Sequence, residues 1–488
     1  MIDFLRKLYV YLVCGSLLVS LSSWATTDII FDTVINGGRV LDPETEFDAL
    51  ANVGISNGVI QQVTTEPLKG KLAIDAQGLI VAPGFIDILT QVESAQMPSA
   101  RYKATDGVTT VLSMHNGPIE VGAMYDRMEK EGALLNYGTT IGQMTIRSVL
   151  GLGDFAGGEE GRNTLATPEQ VAQILEITKR GIQEGAVGVG FGLQYTPNTT
   201  EEEVFQLFQL AAMFDVASHV HIRYLGPQRP TNSVKAIHEV IANAVATGAS
   251  AHIAHVNSTS PKDINLVIRL LEGAKAHGVD ISADAYPWGA GGTALESAVF
   301  DKGWQDRMAI DYSDLELVTT GERLTEESFS RYRGDGKTDW VIVHFIPEST
   351  LVRAYSSPLV MVASDGSINA EGKGHPRGAG TYARFFRRYV VEDGLLTPLE
   401  AARKTSYLAA LRMQKAAPSM RRKGRISVGA DADIVILDYD KIRERATYAE
   451  PAQTSEGIPW VFVNGVAVVE NGKLNENAKP GRAIRGAP

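Results

Sequence analysis

The middle of this 488-residue chain alternates short apolar runs with longer segments of helical periodicity. The apolar runs are rich in valine, isoleucine and glycine, and the clearest are residues 186–191, 217–221, 251–255, 280–284 and 359–365. Helical periodicity covers residues 200–214 and 233–247. Because a strand–helix–strand repeat places parallel strands side by side, this pattern predicts an α/β fold with a (β/α)8 TIM-type barrel over residues 84–415. A doubly wound sheet is the alternative, but no G-x-G-x-x-G turn follows a predicted strand.

Both ends of the chain have a different pattern, in which apolar runs are separated by tight-turn dipeptides. The N-terminal part has Gly37-Gly38 and Asn57-Gly58, and the C-terminal part has Asn464-Gly465 and Asn471-Gly472. Such dipeptides predict β-hairpins. We therefore predict that residues 28–83 and 416–488 pair into one small β-sandwich beside the barrel.

The first 25 residues have the pattern of a secretory signal peptide. A short basic start at Arg6-Lys7 precedes an apolar run over residues 8–21 and a small-residue break at 23–25. This run is shorter than the roughly 20 residues that a spanning helix needs, so cleavage and export, to the periplasm, are predicted over an uncleaved anchor. The only cysteine, Cys14, lies within the signal. A lipid attached to Cys14 is the alternative; otherwise the mature chain has neither a disulfide nor a cysteine nucleophile.

Charge and hydropathy restrict the partners of the mature chain. The formal net charge is -11, which disfavours nucleic acid and anionic lipid as bulk partners. No segment after the signal is apolar for long enough to span a membrane. A small molecule is the predicted partner, and the sequence does not define an oligomeric state.

Histidines cluster at the ends of two neighbouring predicted strands. His219 and His221 end one strand and point the same way, because alternate residues of a strand share a face. His252 and His255 end the next strand, and alternation puts these two on opposite faces. Imidazoles from adjacent strand ends can share a divalent ion such as zinc. Asp365, at a later strand end, could take a proton from an activated water, or could simply open a turn before a glycine.

Several longer motifs together resemble the amidohydrolase superfamily, and within it the N-acyl-D-amino-acid deacylase (D-aminoacylase) branch. The motifs are residues 82–87, 106–111, 185–197, 284–287, 375–378 and 424–433. Residues 480–485 resemble a subgroup described as N-acyl-D-glutamate deacylase-like. The resemblance extends from about residue 30 to the end of the chain.

The resemblance implies roles for individual residues. His221 and His255 match the two barrel histidines that hold the tightly bound metal, and Asp365 matches the catalytic aspartate. Three further positions match residues that hold the acyl-amino-acid substrate, with the first two as its carboxylate contacts: Arg377, Tyr195 and Tyr286. The guanidinium fork of an arginine suits a carboxylate. The tyrosines could instead pack the rim of the barrel.

The chain departs from the superfamily at the first metal motif. Where His-x-His is expected after strand one, Leu89 and Gln91 stand. His115 lies at or beside a further ligand position after strand two, and a one-residue shift of the alignment would place Asn116 there instead. We therefore predict one divalent ion, zinc ahead of nickel, cobalt or manganese, held by His115, His221 and His255 with one open position.

These features predict a metal-dependent hydrolase that cleaves the amide bond of N-acyl amino acids, of D configuration, with Asp365 as proton shuttle. One alternative is a decayed barrel that binds an acyl amino acid without turnover. Another is a hydrolase of cyclic amides such as hydantoins or dihydropyrimidines. No Gly-x-Ser-x-Gly turn indicates a serine nucleophile. Residues 289–341 are predicted to include an insertion over the site.

Overall fold

A computed structural model describes residues 29–92, 97–153, 155, 164–334 and 339–487. The predicted signal segment and Cys14 lie outside these residues. The strands are β1 Ile30–Asp42, β2 Phe47–Ser56, β3 Val59–Thr64, β4 Lys69–Asp75, β5 Ile80–Pro83, β6 Phe85–Asp87, β7 Val108–Ser113, β8 Asn136–Thr139, β9 Ile141–Gly142, β10 Gly188–Gly192, β11 Ala217–His221, β12 Ala251–Ile253, β13 Ile281–Ala285, β14 Ala290–Ala294, β15 Leu315–Leu317, β16 Trp340–His344, β17 Val360–Val362, β18 Ile434–Leu437, β19 Trp460–Val463, β20 Val466–Glu470 and β21 Lys473–Leu474.

Most helices lie in the middle of the chain, between the barrel strands. The α-helices are α1 Ala100–Thr105, α2 Val121–Glu131, α3 Gln143–Val149, α4 Pro168–Gln183, α5 Glu201–Met213, α6 Ser233–Thr247, α7 Val256–Thr259, α8 Ile264–Ala276, α9 Trp304–Met308, α10 Glu326–Arg333, α11 Glu348–Tyr355, α12 Thr381–Phe385, α13 Pro398–Ala402 and α14 Leu408–Met413. Their starts follow capping chemistry: the Thr167 and Thr200 side chains accept backbone N–H groups at the starts of α4 and α5. Among the residues described, no helix has the length and apolar character needed to cross a bilayer.

The two ends of the chain meet in one nine-stranded sheet. The strand order is β21-β20-β19-β18-β5-β1-β2-β3, with β4 also paired to β1. The N- and C-terminal parts join where β5 and β18 pair in antiparallel fashion, with Ala82 opposite Val435. Apolar side chains from both parts, including Ile35, Val53 and Ile434, share one buried cluster. Burial of this shared face holds the two ends together.

Three of the four predicted tight turns are present, and one is wrong. Asn57-Gly58, Asn464-Gly465 and Asn471-Gly472 have positive φ at both residues and connect paired strands. Gly37-Gly38 does not form a hairpin turn. It lies within the 13-residue strand β1, where the register with β2 shifts between Ile35 and Gly38. Gly37 has φ 72°, so the glycine pair makes a bulge in a continuous strand.

The central part forms the predicted barrel from eight parallel strand positions. β6, β7 and β8 pair in parallel, the chain continues from β8 into β9, and β9 to β13 and then β17 pair in parallel. β8 and β10 are linked by the Val187 N–H, which donates to the Thr139 carbonyl at 2.9 Å. The last and first positions meet where the Asp365 N–H donates to the Leu89 carbonyl at 2.7 Å.

A buried ion pair supports this meeting of the first and last strands. Lys103 on α1 reaches Asp87 at 2.8 Å, and both side chains are almost fully buried. Asp87 also accepts the N–H of Ser364 at 2.9 Å and its hydroxyl at 2.6 Å. Ser364 directly precedes Asp365, so this cluster fixes the backbone that carries the predicted catalytic carboxylate.

Breaking this pair is expected to destabilise the protein. The Lys103→Met variant leaves the Asp87 carboxylate buried without its cation, which costs about 3–5 kcal/mol of unfolding free energy. Urea denaturation followed by circular dichroism measures the loss. Lys71→Met, which breaks the exposed Lys71–Asp32 pair at 2.8 Å, is the matched control and should change the midpoint little. Equal midpoints for the two variants would contradict a structural role for the buried pair.

An insertion between β13 and β17 covers the end of the barrel that carries the histidines. Its strands β14, β16 and β15 form an antiparallel sheet in that order. Its apolar residues pack with Met144 of α3 and with Tyr195 and Leu225 from loops of the barrel. The insertion lies in the region where the sequence predicts one.

The last residues leave the nine-stranded sheet and run along the barrel. The Ile484 N–H donates to the Tyr137 carbonyl at 2.7 Å, and the Gly486 N–H donates to the Gly185 carbonyl at 2.8 Å. The Tyr125 hydroxyl donates to the Ile484 carbonyl at 2.7 Å. The tail is therefore tied to the barrel strand β8 and the segment before β10.

Candidate active site

Three histidines from different strand ends gather at one end of the barrel. His221 is the last residue of β11, and His115 follows β7 by two positions. His255 follows β12 and has φ 29°, a conformation that turns its side chain away from the alternation of the strand. The ring centroids are 4.6 Å apart for His221 and His255, 5.8 Å for His115 and His221, and 6.2 Å for His115 and His255.

These spacings suit one shared ion. A zinc–imidazole bond of about 2.0–2.1 Å puts each ring centre roughly 3.2 Å from the metal, and tetrahedral geometry then separates the ring centres by roughly 5 Å. The observed distances lie on both sides of that value. In the described part of the chain, no three His, Cys, Asp or Glu side chains already form a closed ligand set. The three ring centres thus lie at suitable distances, and their nitrogens are not yet turned to a common point.

The hydrogen bonds of two of these rings leave the correct nitrogen free. The Nδ1 of His221 lies 3.2 Å from the Ile222 carbonyl, which can only accept, so Nδ1 carries the proton and Nε2 keeps its lone pair. The Nδ1 of His255 contacts the Ser258 hydroxyl at 2.8 Å. A partner on one ring nitrogen that orients the other is the usual arrangement around metal-binding histidines.

Burial keeps all three rings in the form that binds metal. It lowers the pKa of His221 and of His255 well below the usual value, and each is lowered further by neighbouring histidines. Burial also lowers the pKa of His115. Neutral imidazole, not imidazolium, donates a lone pair to a metal. The donor set therefore fits a borderline-soft divalent ion.

Of the two candidates after β7, His115 is the one that faces the other histidines. Asn116 directs its side-chain oxygen to the Thr145 hydroxyl at 2.7 Å, although it also lines the cavity. Where the superfamily has its first two histidines, Leu89 is buried in an apolar cluster and Gln91 lies at the edge of the cavity. Neither Leu89 nor Gln91 supplies an imidazole for a second ion.

Asp365 lies beside the histidines and forms an ion pair. Its Oδ2 is 3.7 Å from the Nε2 of His255 and 2.8 Å from the Nη2 of Arg377. Its φ of 49° is in the left-handed region, which turns the carboxylate away from the path of the strand. The side chain is 19% exposed, so it remains accessible from the cavity.

Arg377 is buried and has unused hydrogen-bonding capacity. Its Nη2 serves Asp365 and, at 3.4 Å, the Gly292 carbonyl. Its Nε and Nη1 are buried and have no partner among the described residues. Its guanidinium lies over the Tyr286 ring, 4.5 Å from the centroid. The two unpartnered donors lie on opposite edges of the guanidinium, while Nη2, which both bidentate edges share, is engaged by Asp365.

The two predicted tyrosines lie against this group. Tyr195 packs 5.0 Å from the His221 ring, and its hydroxyl is 3.5 Å from the Thr293 hydroxyl. Burial raises the pKa of Tyr195 to about 12 and raises the pKa of Tyr286 as well. Both phenols therefore keep their protons at neutral pH and can donate a hydrogen bond to an anion.

His252 has a role that strand alternation obscured. The expectation that His252 and His255 lie on opposite faces fails because β12 ends at Ile253 and the backbone turns at His255. The His252 Nε2 contacts Asp284 Oδ2 at 2.8 Å, and Asp284 Oδ1 accepts the His255 N–H at 2.8 Å. His252 thus acts through Asp284 to hold His255 in place. His219 packs 5.3 Å from His252, and both its ring nitrogens are buried without a partner among the described residues.

Two compartments adjoin the three histidines and Asp365. A wide cleft of about 760 Å³ includes His115, Asp365 and Arg377 in its lining. A smaller compartment of about 40 Å³ includes His221, His255, Asp365 and Arg377. All the predicted site residues therefore lie within one contiguous region of the barrel end.

Comparison with known proteins agrees with this architecture. Residues 100–468 match the Amidohydrolase family. The chain belongs to this family. As an amidohydrolase it is 28% identical to an N-acyl-D-glutamate deacylase from Alcaligenes xylosoxydans xylosoxydans, over 93% of this chain and 96% of the relative. The prediction of a hydrolase acting on carbon–nitrogen bonds other than peptide bonds is confirmed.

Solved structures establish the fold of this amidohydrolase. An N-acyl-D-glutamate deacylase from Bordetella bronchiseptica, complexed with zinc and a phosphonate inhibitor, superposes with a TM-score of 0.80 at 23% identity, covering 94% of this chain and 100% of that chain. A D-aminoacylase, described for a binuclear metal centre with one-metal activation and second-metal attenuation, gives 0.78 at 22% identity, covering 93% and 100%. The predicted barrel with its β-rich module is confirmed.

Sequence reasoning missed several residues that shape this site. His375 accepts the Arg377 N–H at 3.1 Å and so helps to fix that backbone. Asp284 and His375 lie within the motifs at residues 284–287 and 375–378, and no pattern in the sequence indicates a role for Lys103. Their strand-end or motif positions were the only signal in the sequence, because each acts through a partner distant along the chain.

Proposed function

We propose that this protein hydrolyses the amide bond of N-acyl amino acids with one divalent ion, preferably zinc, held by His115, His221 and His255. The observation that carries the proposal is the juxtaposition of three neutral imidazoles with a carboxylate and a buried arginine that has free donors. A structural ion-pair cluster would not need three buried neutral histidines beside it. A non-catalytic binder would not need the accessible Asp365.

Each of these groups has a separate role in the proposed reaction. A bound divalent ion supplies an activated water and polarises the amide carbonyl. Asp365 accepts a proton from the attacking water and delivers it to the leaving nitrogen as the carbon–nitrogen bond breaks. The products are a carboxylic acid, which gains the oxygen of water, and a free amino acid, whose nitrogen gains the proton. Arg377 keeps the Asp365 carboxylate oriented during both transfers.

The free donors of Arg377 place the carboxylate of the substrate. Nε and Nη1 are two separate donors on opposite edges of the guanidinium, and the phenols of Tyr195 and Tyr286 are neighbouring donors. The D configuration rests on the names of the relatives, which include an N-acyl-D-glutamate deacylase and a D-aminoacylase. Assaying both enantiomers of each substrate tests this part of the proposal separately.

The carboxylate contact gives a specific prediction. Arg377→Lys retains a positive charge but loses the planar guanidinium with its several donors, so KM for N-acyl amino acids should rise about 10- to 100-fold. Arg127→Lys makes the same change at the edge of the wide cleft and is the matched control. Steady-state kinetics on both variants measure the change in KM. A KM that rises equally in both, or in neither, would remove Arg377 from carboxylate binding.

We also propose that the chain is exported, with residues 1–25 removed. The basic and apolar pattern of this segment supports the proposal. Sequencing the N-terminus of the protein recovered from the periplasm should find a start near residue 26. Recovery of the intact chain in the membrane fraction would favour an anchor instead.

The proposed function as a whole is tested by adding zinc to purified protein and assaying N-acyl amino acids against hydantoins and dihydropyrimidines. Release of free amino acid from the first group alone supports the proposal. Turnover of the cyclic amides alone would replace it with the cyclic-amide alternative. Binding without turnover would support the decayed barrel.

A further inference from the structure

The two compartments at the centre differ in size, charge and lining. Both include Asp365 and Arg377, so they meet at the reacting groups. The smaller one holds about 40 Å³ and the larger about 760 Å³. A substrate cleaved between them is therefore divided into a small part and a large part.

The smaller compartment takes the amino-acid half. Arg377 stacks on Tyr286, and Tyr286 lines the small compartment but not the wide cleft. A substrate carboxylate that pairs with the Arg377 guanidinium on this side therefore lies at this wall. The side chain of the same amino acid branches from Cα, the atom next to the carboxylate carbon, and so enters the adjoining space.

That space is too small for a long side chain, and Arg377 is its one lysine or arginine among the lining residues. Water needs about 10–15 Å³ of such volume, so 40 Å³ holds about three heavy atoms. Its lining includes the apolar side chains of Leu225, Val299, Met308, Val343 and Phe345. Of its lining residues other than histidine, only Asp365 and Arg377 carry charge. The proposed divalent ion would be engaged by the amide carbonyl and the attacking water, and Arg377 by the first carboxylate. A second carboxylate here would therefore lie near Asp365 without a cation of its own, which is costly in a buried site.

The wide cleft takes the acyl half and has an aromatic wall. Tyr195 packs 4.6 Å from Phe155, and Phe155 packs 5.8 Å from Trp340. All three line the cleft, and Trp340 is 39% exposed at its edge. The wall thus extends from the edge of the cleft to the His221 ring. Aromatic rings in a row offer stacking area to an apolar or planar group.

We infer that the preferred substrate joins a small, uncharged amino acid, no larger than valine, to a bulky acyl group that stacks on Tyr195, Phe155 and Trp340. This inference rests on the proposed function and adds its substrate class. It separates this chain from the N-acyl-D-glutamate deacylases that it resembles.

The test is a two-way substrate panel on the zinc-loaded protein. N-acetyl-D-alanine, -D-leucine and -D-glutamate vary the amino acid, and acetyl, octanoyl and phenylacetyl groups on D-alanine vary the acyl part. We expect kcat/KM for N-acetyl-D-alanine to exceed that for N-acetyl-D-glutamate at least about tenfold, since an unpaired buried charge is strongly rejected. The bulky acyl groups should raise kcat/KM over acetyl by about tenfold.

Variants assign these preferences to the two compartments. Met308→Ala should raise the D-leucine to D-alanine ratio about tenfold, and Trp340→Ala should reduce the advantage of phenylacetyl over acetyl. Leu50→Ala, an exposed apolar residue on the nine-stranded sheet, is the control and should change neither ratio.

The possible outcomes separate the two claims. A preference for N-acetyl-D-glutamate, or for acetyl over the bulky groups, overturns the inference and leaves the proposed hydrolase intact. Ratios that Met308→Ala and Trp340→Ala leave unchanged also overturn it. No release of any amino acid from the panel overturns the proposed function, and the inference with it.

Discussion

Replacing Asp365 by asparagine is expected to lower kcat for N-acyl amino acids by about 10²- to 10⁴-fold, the usual contribution of a positioned proton-transfer group. The amide keeps the size of the side chain but can neither accept the proton of water nor return it to the leaving nitrogen. Metal content should be retained, because the proposed ligands are the three histidines. Elemental analysis and single-turnover kinetics on the same sample separate these two effects.

The control for Asp365 is Asp339→Asn, a carboxylate to amide change in another residue that lines the wide cleft. This variant should keep kcat within about twofold, because mere loss of a negative charge near the cleft removes no proton transfer. A comparable fall in both variants would mean that Asp365 acts only through the overall charge of the cleft. An unchanged kcat in Asp365→Asn would exclude it as the proton shuttle.

Removing the divalent ion is expected to abolish hydrolysis, and zinc should restore it to wild type but not to His221→Ala. Loss of residues that merely orient a ligand typically costs about 10–100-fold in metal affinity, so loss of a ligand itself should cost more. Dialysis against a chelator, followed by zinc titration with an activity readout, measures both parts. His238→Ala removes an exposed imidazole from α6 and is the matched control.

Two results would contradict this second prediction. Full activity after exhaustive chelation would show that catalysis needs no metal. Restoration of His221→Ala by zinc at wild-type concentrations would show that the ion is held elsewhere. The circular dichroism spectrum of each variant shows whether a loss of activity reflects unfolding.

Much of the fold could be predicted because its signals are local. The alternation of apolar runs and helical segments predicted the barrel, and Asn-Gly dipeptides predicted three turns of the nine-stranded sheet. The Gly37-Gly38 hairpin was wrong because a glycine pair suits a turn and a bulge equally well. Only the pairing of β1 with β2 and β4, which lies outside the local sequence, decides between them.

The site was predictable as a set of residues but not as a geometry. The strand ends and motifs pointed to His221, His255 and Asp365. The choice between His115 and Asn116 depended on which of two adjacent residues after β7 faces the other histidines. No periodicity in the sequence determines this. The pairing of Asp365 with Arg377 and the link from His252 through Asp284 depend on contacts between distant strands. The positive φ at His255, which reverses its face, has no signature in the sequence.

The measurement that tests the central claim most directly is the metal content of three purified proteins: wild type, His115→Ala and Asn116→Ala. We predict about one divalent ion per chain in the wild type and in Asn116→Ala, and a large loss in His115→Ala at equal zinc concentration. Two ions per chain in the wild type, or a full ion in His115→Ala, would contradict a single-metal centre built on His115, His221 and His255.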